Sequence, residues 1–209
     1  MGNGLMPGPV DEGHPIVIDE GTLARTGSPP PGPIGLDAKG GTAKAKPSMA
    51  EQIVSYPRNR RGQRVGDGQC FALTDRALRA AGARSAADYG TITPSADYVW
   101  GTSVTLSELR PGDVIQFRGY RSVRVVVTES SSKTTTEETE QTRPHHTAIV
   151  ERVGEDGAVT ALEQNSPEGS AVVRTLLHFS NSTQTSGNRR TTTTVEGTFW
   201  FYRPQAALP

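Results

Sequence analysis

Three observations on the sequence predict an α+β domain with its helices first and its strands after. Residues 70–81, CFALTDRALRAA, place Leu73, Ala77 and Ala81 at i, i+4 and i+8, the spacing of one helical face. Beyond about residue 98 the apolar period changes to two, in runs rich in branched and aromatic side chains. Residues 1–47 are dense in Gly and Pro and carry few large apolar side chains outside Ile16-Val17-Ile18.

The elements follow in chain order. Residues 1–47, with SPPPGPIG and AKGGTAKAKP, cannot offset their ordering entropy and are expected to form a flexible tail, leaving 48–209 as the domain. It opens with a helix carrying Met49, Ile53 and Val54 on one side. The helix beginning at Cys70 is preceded by Val65-Gly66-Asp67-Gly68, where Asp67 is expected to cap the free N–H groups and the glycines allow a sharp entry. Gly82 suits its C′ position.

Strands are predicted at 113–117, 122–127, 146–153, 158–164, 171–179 and 197–204, forming an antiparallel sheet or small open barrel. Pro111-Gly112 turns into the first, and Glu155-Asp156-Gly157 signals a hairpin between 146–153 and 158–164. Two polar, threonine-rich segments, 128–144 and 180–196, are flanked by strands. Threonine favours extended backbone, so these are expected as long solvated hairpins that continue their parent strands and pair through their threonine faces. A surface that grips substrate or partner is the sharper alternative, and disorder the third.

Composition excludes several function classes. The 22 basic and 22 acidic side chains cancel, so neither nucleic acid nor an anionic membrane is an expected partner. No apolar run approaches the roughly 18 residues of a membrane span, and the start lacks a charged n-region and apolar h-region. A soluble monomer is expected, cytosolic or exported without a cleaved signal. One Cys rules out an intramolecular disulfide, and without H-x-x-x-H or C-x-x-C spacing no metal site is expected. No phosphate loop of Walker or Rossmann spacing is present, and no cofactor is expected. His14 and His178 stand alone, the Arg58–Arg61 cluster reads as a solvated linker, and Asp113 reads as a structural turn residue.

The remaining residues point to nucleophilic chemistry. A thiolate is the reactive form of cysteine, and a helix N-terminus favours it, so Cys70 is the candidate nucleophile. HHTAIV places His146 at a strand start, and the hairpin brings it beside Glu163–Asn165 of LEQN. Glu163 and Asn165, two apart, are expected on one face, addressing the imidazole at Nδ1 and leaving Nε2 for the thiol. His145 is expected on the opposite face as an exposed imidazole; a register slip of one would exchange the two histidines.

GQC opening a helix, LRPGDVIQF, HTAIV and then E-x-N resemble, in that order, the CHAP family of papain-like amidohydrolases and peptidases, from about Val65 to Asn165. The resemblance implies a papain-like fold and a bacterial cell-wall role, with amide cleavage in peptidoglycan through a thioester. Cys70, His146, Glu163 and Asn165 would be catalytic, and Gln69 would contribute to oxyanion or substrate binding. His145 stands where that family commonly has Gly. Two rivals remain: a binding or structural protein that uses the threonine-rich hairpins, and a protein-directed transamidase or deamidase.

Overall fold

The compact unit spans Lys44–Pro209, and the computed structural model describes residues 46–94 and 96–208. The predicted tail, residues 1–47, falls almost wholly outside these, as does His14. Helix α1 is Met49–Arg58, opened by a capping box in which Ser48 and Glu51 bond each other's backbone N–H. It buries Ile53, Val54 and Pro57. Helix α2, Cys70–Ala80, buries Leu73, Thr74, Ala77 and Leu78. Gly82 follows at φ 72°, and the Ala83 N–H returns to the Leu78 carbonyl at 2.9 Å, the predicted left-handed stop.

Seven strands follow: β1 Thr102–Val104, β2 Val114–Glu129, β3 Thr134–Val153, β4 Val159–Glu163, β5 Val173–Leu177, β6 Ser182–Ser186 and β7 Arg189–Arg203. All pair antiparallel in one sheet ordered β1-β7-β2-β3-β4-β5, with β6 alongside β7. The two helices cover one face, where Ile53, Ala77, Leu78 and Trp100 pack on Val114 and Ile149. The other face curls on itself: Phe179, just beyond β5, meets Phe117 of β2 and Phe199 and Phe201 of β7 at 5.0–6.0 Å between rings. Asp113, buried before β2, accepts from the Arg110 N–H and pairs with Arg203, the structural turn role expected of it.

Both threonine-rich segments extend their parent strands, so 113–117 and 122–127 merge into β2. They pair differently from the expectation. β2 and β7 hydrogen-bond edge to edge as far as Thr128↔Arg189, so the two hairpins form one four-stranded ribbon rather than touching through threonine faces. Main-chain donors on adjacent edges outcompete side-chain stacking here. The ribbon and the curled sheet meet at an irregularity between Arg118 and Arg121. Gly119 sits there at φ 60° and Gly197 opposite it at φ 95°, where a Cβ would run into the Gly119 carbonyl.

Candidate active site

Cys70 is the first residue of α2, and two polar attachments fix its place over the sheet. The buried Gln164, just past β4, accepts from the Val65 N–H at 2.9 Å and donates to the Val65 and Gln69 carbonyls at 2.9 and 2.7 Å. It saturates the entry loop's polar groups while tying that loop to the sheet. One turn into α2, the Thr74 hydroxyl lies 3.1 Å from that of Thr147 on β3. Gly66 is also required, because at φ 65° a Cβ there would lie 2.8 Å from that of Ala72.

Asp67 does not cap the first turn as expected. Its carboxylate accepts the N–H of Gln69, the N-cap residue, at 2.9 Å, and no side chain caps the helix. The short loop brings Asp67 within reach of the N-cap itself, leaving the donors beyond it for the cleft.

His146 is buried with its Nε2 3.0 Å from Glu163 Oε2, within ion-pair reach but poorly aligned for a hydrogen bond. The hairpin register accounts for the meeting: Ile149↔Leu162 and Val150↔Ala161 carry the pairing toward His146 and Glu163. The nitrogens are exchanged relative to expectation. The carboxylate reaches Nε2, the far nitrogen, which leaves Nδ1, nearer the backbone, as the nitrogen open to the thiol.

Electrostatics follow from this order. Burial alone would push the Cys70 thiol up, but the hydrogen bond and charge of His146, with the Thr147 backbone and hydroxyl, hold it below its ordinary value. Burial would lower His146, yet Cys70 and Glu163 hold it above its ordinary value. Burial would raise Glu163, while His146 and Arg143 pull it down to about 2. The chemistry available is that of a thiol eased toward thiolate beside an imidazole eased toward imidazolium, backed by a fixed carboxylate.

Arg143 was not anticipated. It forks onto Glu163 with bonds of 2.9 and 2.6 Å, both side chains being buried. Strict alternation would place it on His145's face, yet it is buried against Glu163, the carboxylate that also meets His146.

Asn165 does not address the imidazole. β4 ends at Glu163, and Asn165 turns at φ 64°, breaking the two-residue alternation that placed both side chains on one face. Its Oδ1 accepts the Gly169 N–H at 2.6 Å and its Nδ2 donates to Gln69 Oε1 at 3.0 Å. That bond leaves the Gln69 Nε2 end directed elsewhere.

His145, expected on the opposite face as an exposed imidazole, is half-buried and lines the same cleft as His146. Its Nε2 lies 2.7 Å from the Ala96 carbonyl and its ring sits edge-on to Tyr98. Nε2 therefore carries its proton, and it pins the loop that the sequence reading left unassigned. That loop supplies Ile92, Pro94 and Tyr98 to a cleft of about 840 Å³ that also contains Cys70, His146 and Gln69. Elsewhere, Arg58 joins Arg174 on Glu151 rather than standing as solvated linker, and the His178 carbonyl accepts the Tyr120 hydroxyl. Among the described residues no helix is long and apolar enough to cross a membrane.

No curated protein and no solved structure matches the chain. The family model for the AIM3/BBC1 cysteine proteinase-fold domain matches residues 28–207, beginning inside the stretch predicted as tail. The cysteine-proteinase fold agrees with the papain-like architecture expected, whereas the narrower CHAP assignment does not follow from this match. With a cysteine at a helix start beside a sheet histidine, and a match over most of its length, the chain belongs to the AIM3/BBC1 cysteine proteinase-fold domain family.

Proposed function

We propose that this domain is a cysteine-dependent amide hydrolase with Cys70 as nucleophile and His146 as its acid and base. The observation that carries the reading is the order of a half-buried Cys70 followed by the buried His146, Glu163 and Arg143, with the thiol held low and the imidazole held high. The Cys70 thiolate attacks the substrate carbonyl carbon, forming a C–S bond and an oxyanion. The uncapped N–H groups at the start of α2 and the free Nε2 of Gln69 stabilise that charge, and Asn165 acts by orienting Gln69. Imidazolium gives its proton to the leaving nitrogen as the C–N bond breaks, leaving a thioester. Neutral His146 then takes a proton from water, hydroxide adds to the thioester carbonyl, and the C–S bond breaks to restore the pair.

Peptidoglycan as the substrate rests on the CHAP resemblance alone; the family match adds nothing to it. An amine replacing water in the second half would give a transamidase, and a side-chain amide as substrate a deamidase, through the same residues. The four-stranded ribbon favours a second reading, a binding or structural module, because it extends the sheet beyond the strand segments that hold the site.

The test is Cys70 alkylation by iodoacetamide against pH, alongside hydrolysis of peptidyl amides and purified peptidoglycan. The hydrolase reading expects fast alkylation well below the pH range of an ordinary thiol, together with turnover of at least one amide. Alkylation only at alkaline pH, with no turnover, would leave the binding-module reading.

A further inference from the structure

Strand edges expose unpaired N–H and C=O groups, and proteins commonly guard them with charge or proline. Among the described residues, the ribbon edge of β3 carries Glu137, Glu138 and Glu140, and the edge strand β5 carries Arg174. β6 is different. Ser182-Thr183-Gln184-Thr185-Ser186 is exposed throughout, pairs only with β7, and has neither charge nor proline. The segment also reads the same in both directions about Gln184.

We propose that β6 is the seam of a homodimer, pairing antiparallel with β6 of a second copy across a two-fold axis through Gln184. This replaces the monomer expected from sequence. Its hydrogen-bond phase supports the register. Ser186↔Arg189 closes the hairpin around the Gly187-Asn188 turn, so Ser186, Gln184 and Ser182 direct their backbone groups toward β7. Thr183 and Thr185 therefore direct theirs outward. A two-fold axis at Gln184 sets Thr183 opposite Thr185 of the second copy, outward groups facing outward groups, so each such pair exchanges both its bonds. A slip of one residue would set outward groups against inward ones.

The palindrome also matches side chains across the axis, Ser with Ser and Thr with Thr, and the two Gln184 amides meet on it. The neighbouring like charges on β7, Arg189 and Arg190, do not oppose the pairing strongly. Three strand spacings separate the copies' β7 strands, roughly 14 Å, beyond the ~10 Å screening length at 0.1 M salt.

The experiment is sedimentation velocity of the full chain over a concentration series at about 0.1 M salt, with circular dichroism to verify folding. Wild type is expected to show a reversible monomer–dimer equilibrium. Gln184→Lys and Gln184→Glu should each weaken it by about tenfold or more through like charge on the axis, and an equimolar mixture of the two should restore it. Thr183→Pro should also give monomer, since it removes an outward N–H without breaking a β7 bond. A wild type that stays monomeric throughout, a dimer that survives both charge variants, or a mixture that fails to recover would overturn the proposal.

Discussion

On the proposed mechanism Cys70→Ser and His146→Ala each remove half of a proton-exchanging pair, and kcat/KM on an amide should fall by about a thousandfold or more in each case. Double-variant kinetics no worse than either single change would show that the two act as a unit. Glu163→Gln keeps shape but removes a charge that holds His146 above its ordinary value and leaves Arg143 buried without its partner. Alkylation of Cys70 should then shift to higher pH, and stability should fall by about 3–5 kcal/mol. A pH-rate profile with urea melts checks both; unchanged alkylation would detach Glu163 from the site. His145→Ala should raise KM several-fold by loosening the Ala96 loop, with kcat and the alkylation profile unchanged. That Cys70 and His146 meet was legible because a helix start and a strand start each leave a signature in residue spacing. Arg143 and the true partners of Asn165 were not, since Arg143 departs from strand alternation and Asn165 takes a left-handed turn.

At the scale of elements, both helices and most strand cores were readable from periodicity, and the hairpin at Glu155-Asp156-Gly157 was readable from turn chemistry. What could not be read was the partnership between the two threonine-rich hairpins, because β2 and β7 are far apart in sequence and backbone ladders carry no residue code. Gln164 was hidden for a related reason: its role lies in a long-range bond to the Val65 loop, not in any local pattern. Gln164→Ala would leave the Val65 N–H unpaired in a buried setting and free the Cys70 loop from β4. Loss of about 1–3 kcal/mol with a larger proportional loss of kcat is expected; a urea melt and steady-state kinetics on the same preparation test the coupling. Equal activity in a destabilised variant would mean that the loop holds Cys70 without this tie.

At the scale of the whole molecule, the buried Glu163 contributes to the acid limb of stability. Its carboxyl is held at about 2 in the fold against 4.5 when free. Its contribution is therefore present above pH 4.5 and is lost as pH falls toward 2. Unfolding free energy measured between pH 6 and 3 should decline in wild type and be flatter in Glu163→Gln; parallel curves would place the acid sensitivity elsewhere. The ribbon bears on a different quantity, the speed of folding. β2 and β3 are joined by the short turn at Ser130–Lys133, so their pairing can zip from the tip inward with little loop-closure cost. Pairing of β7 with β2 must bridge a much longer stretch of chain and gains from a template already formed. An exposed feature that contributes little apolar burial would thus serve as the nucleus for the sheet, and shortening it to an Asn-Gly turn would slow refolding while leaving the unfolding rate nearly unchanged.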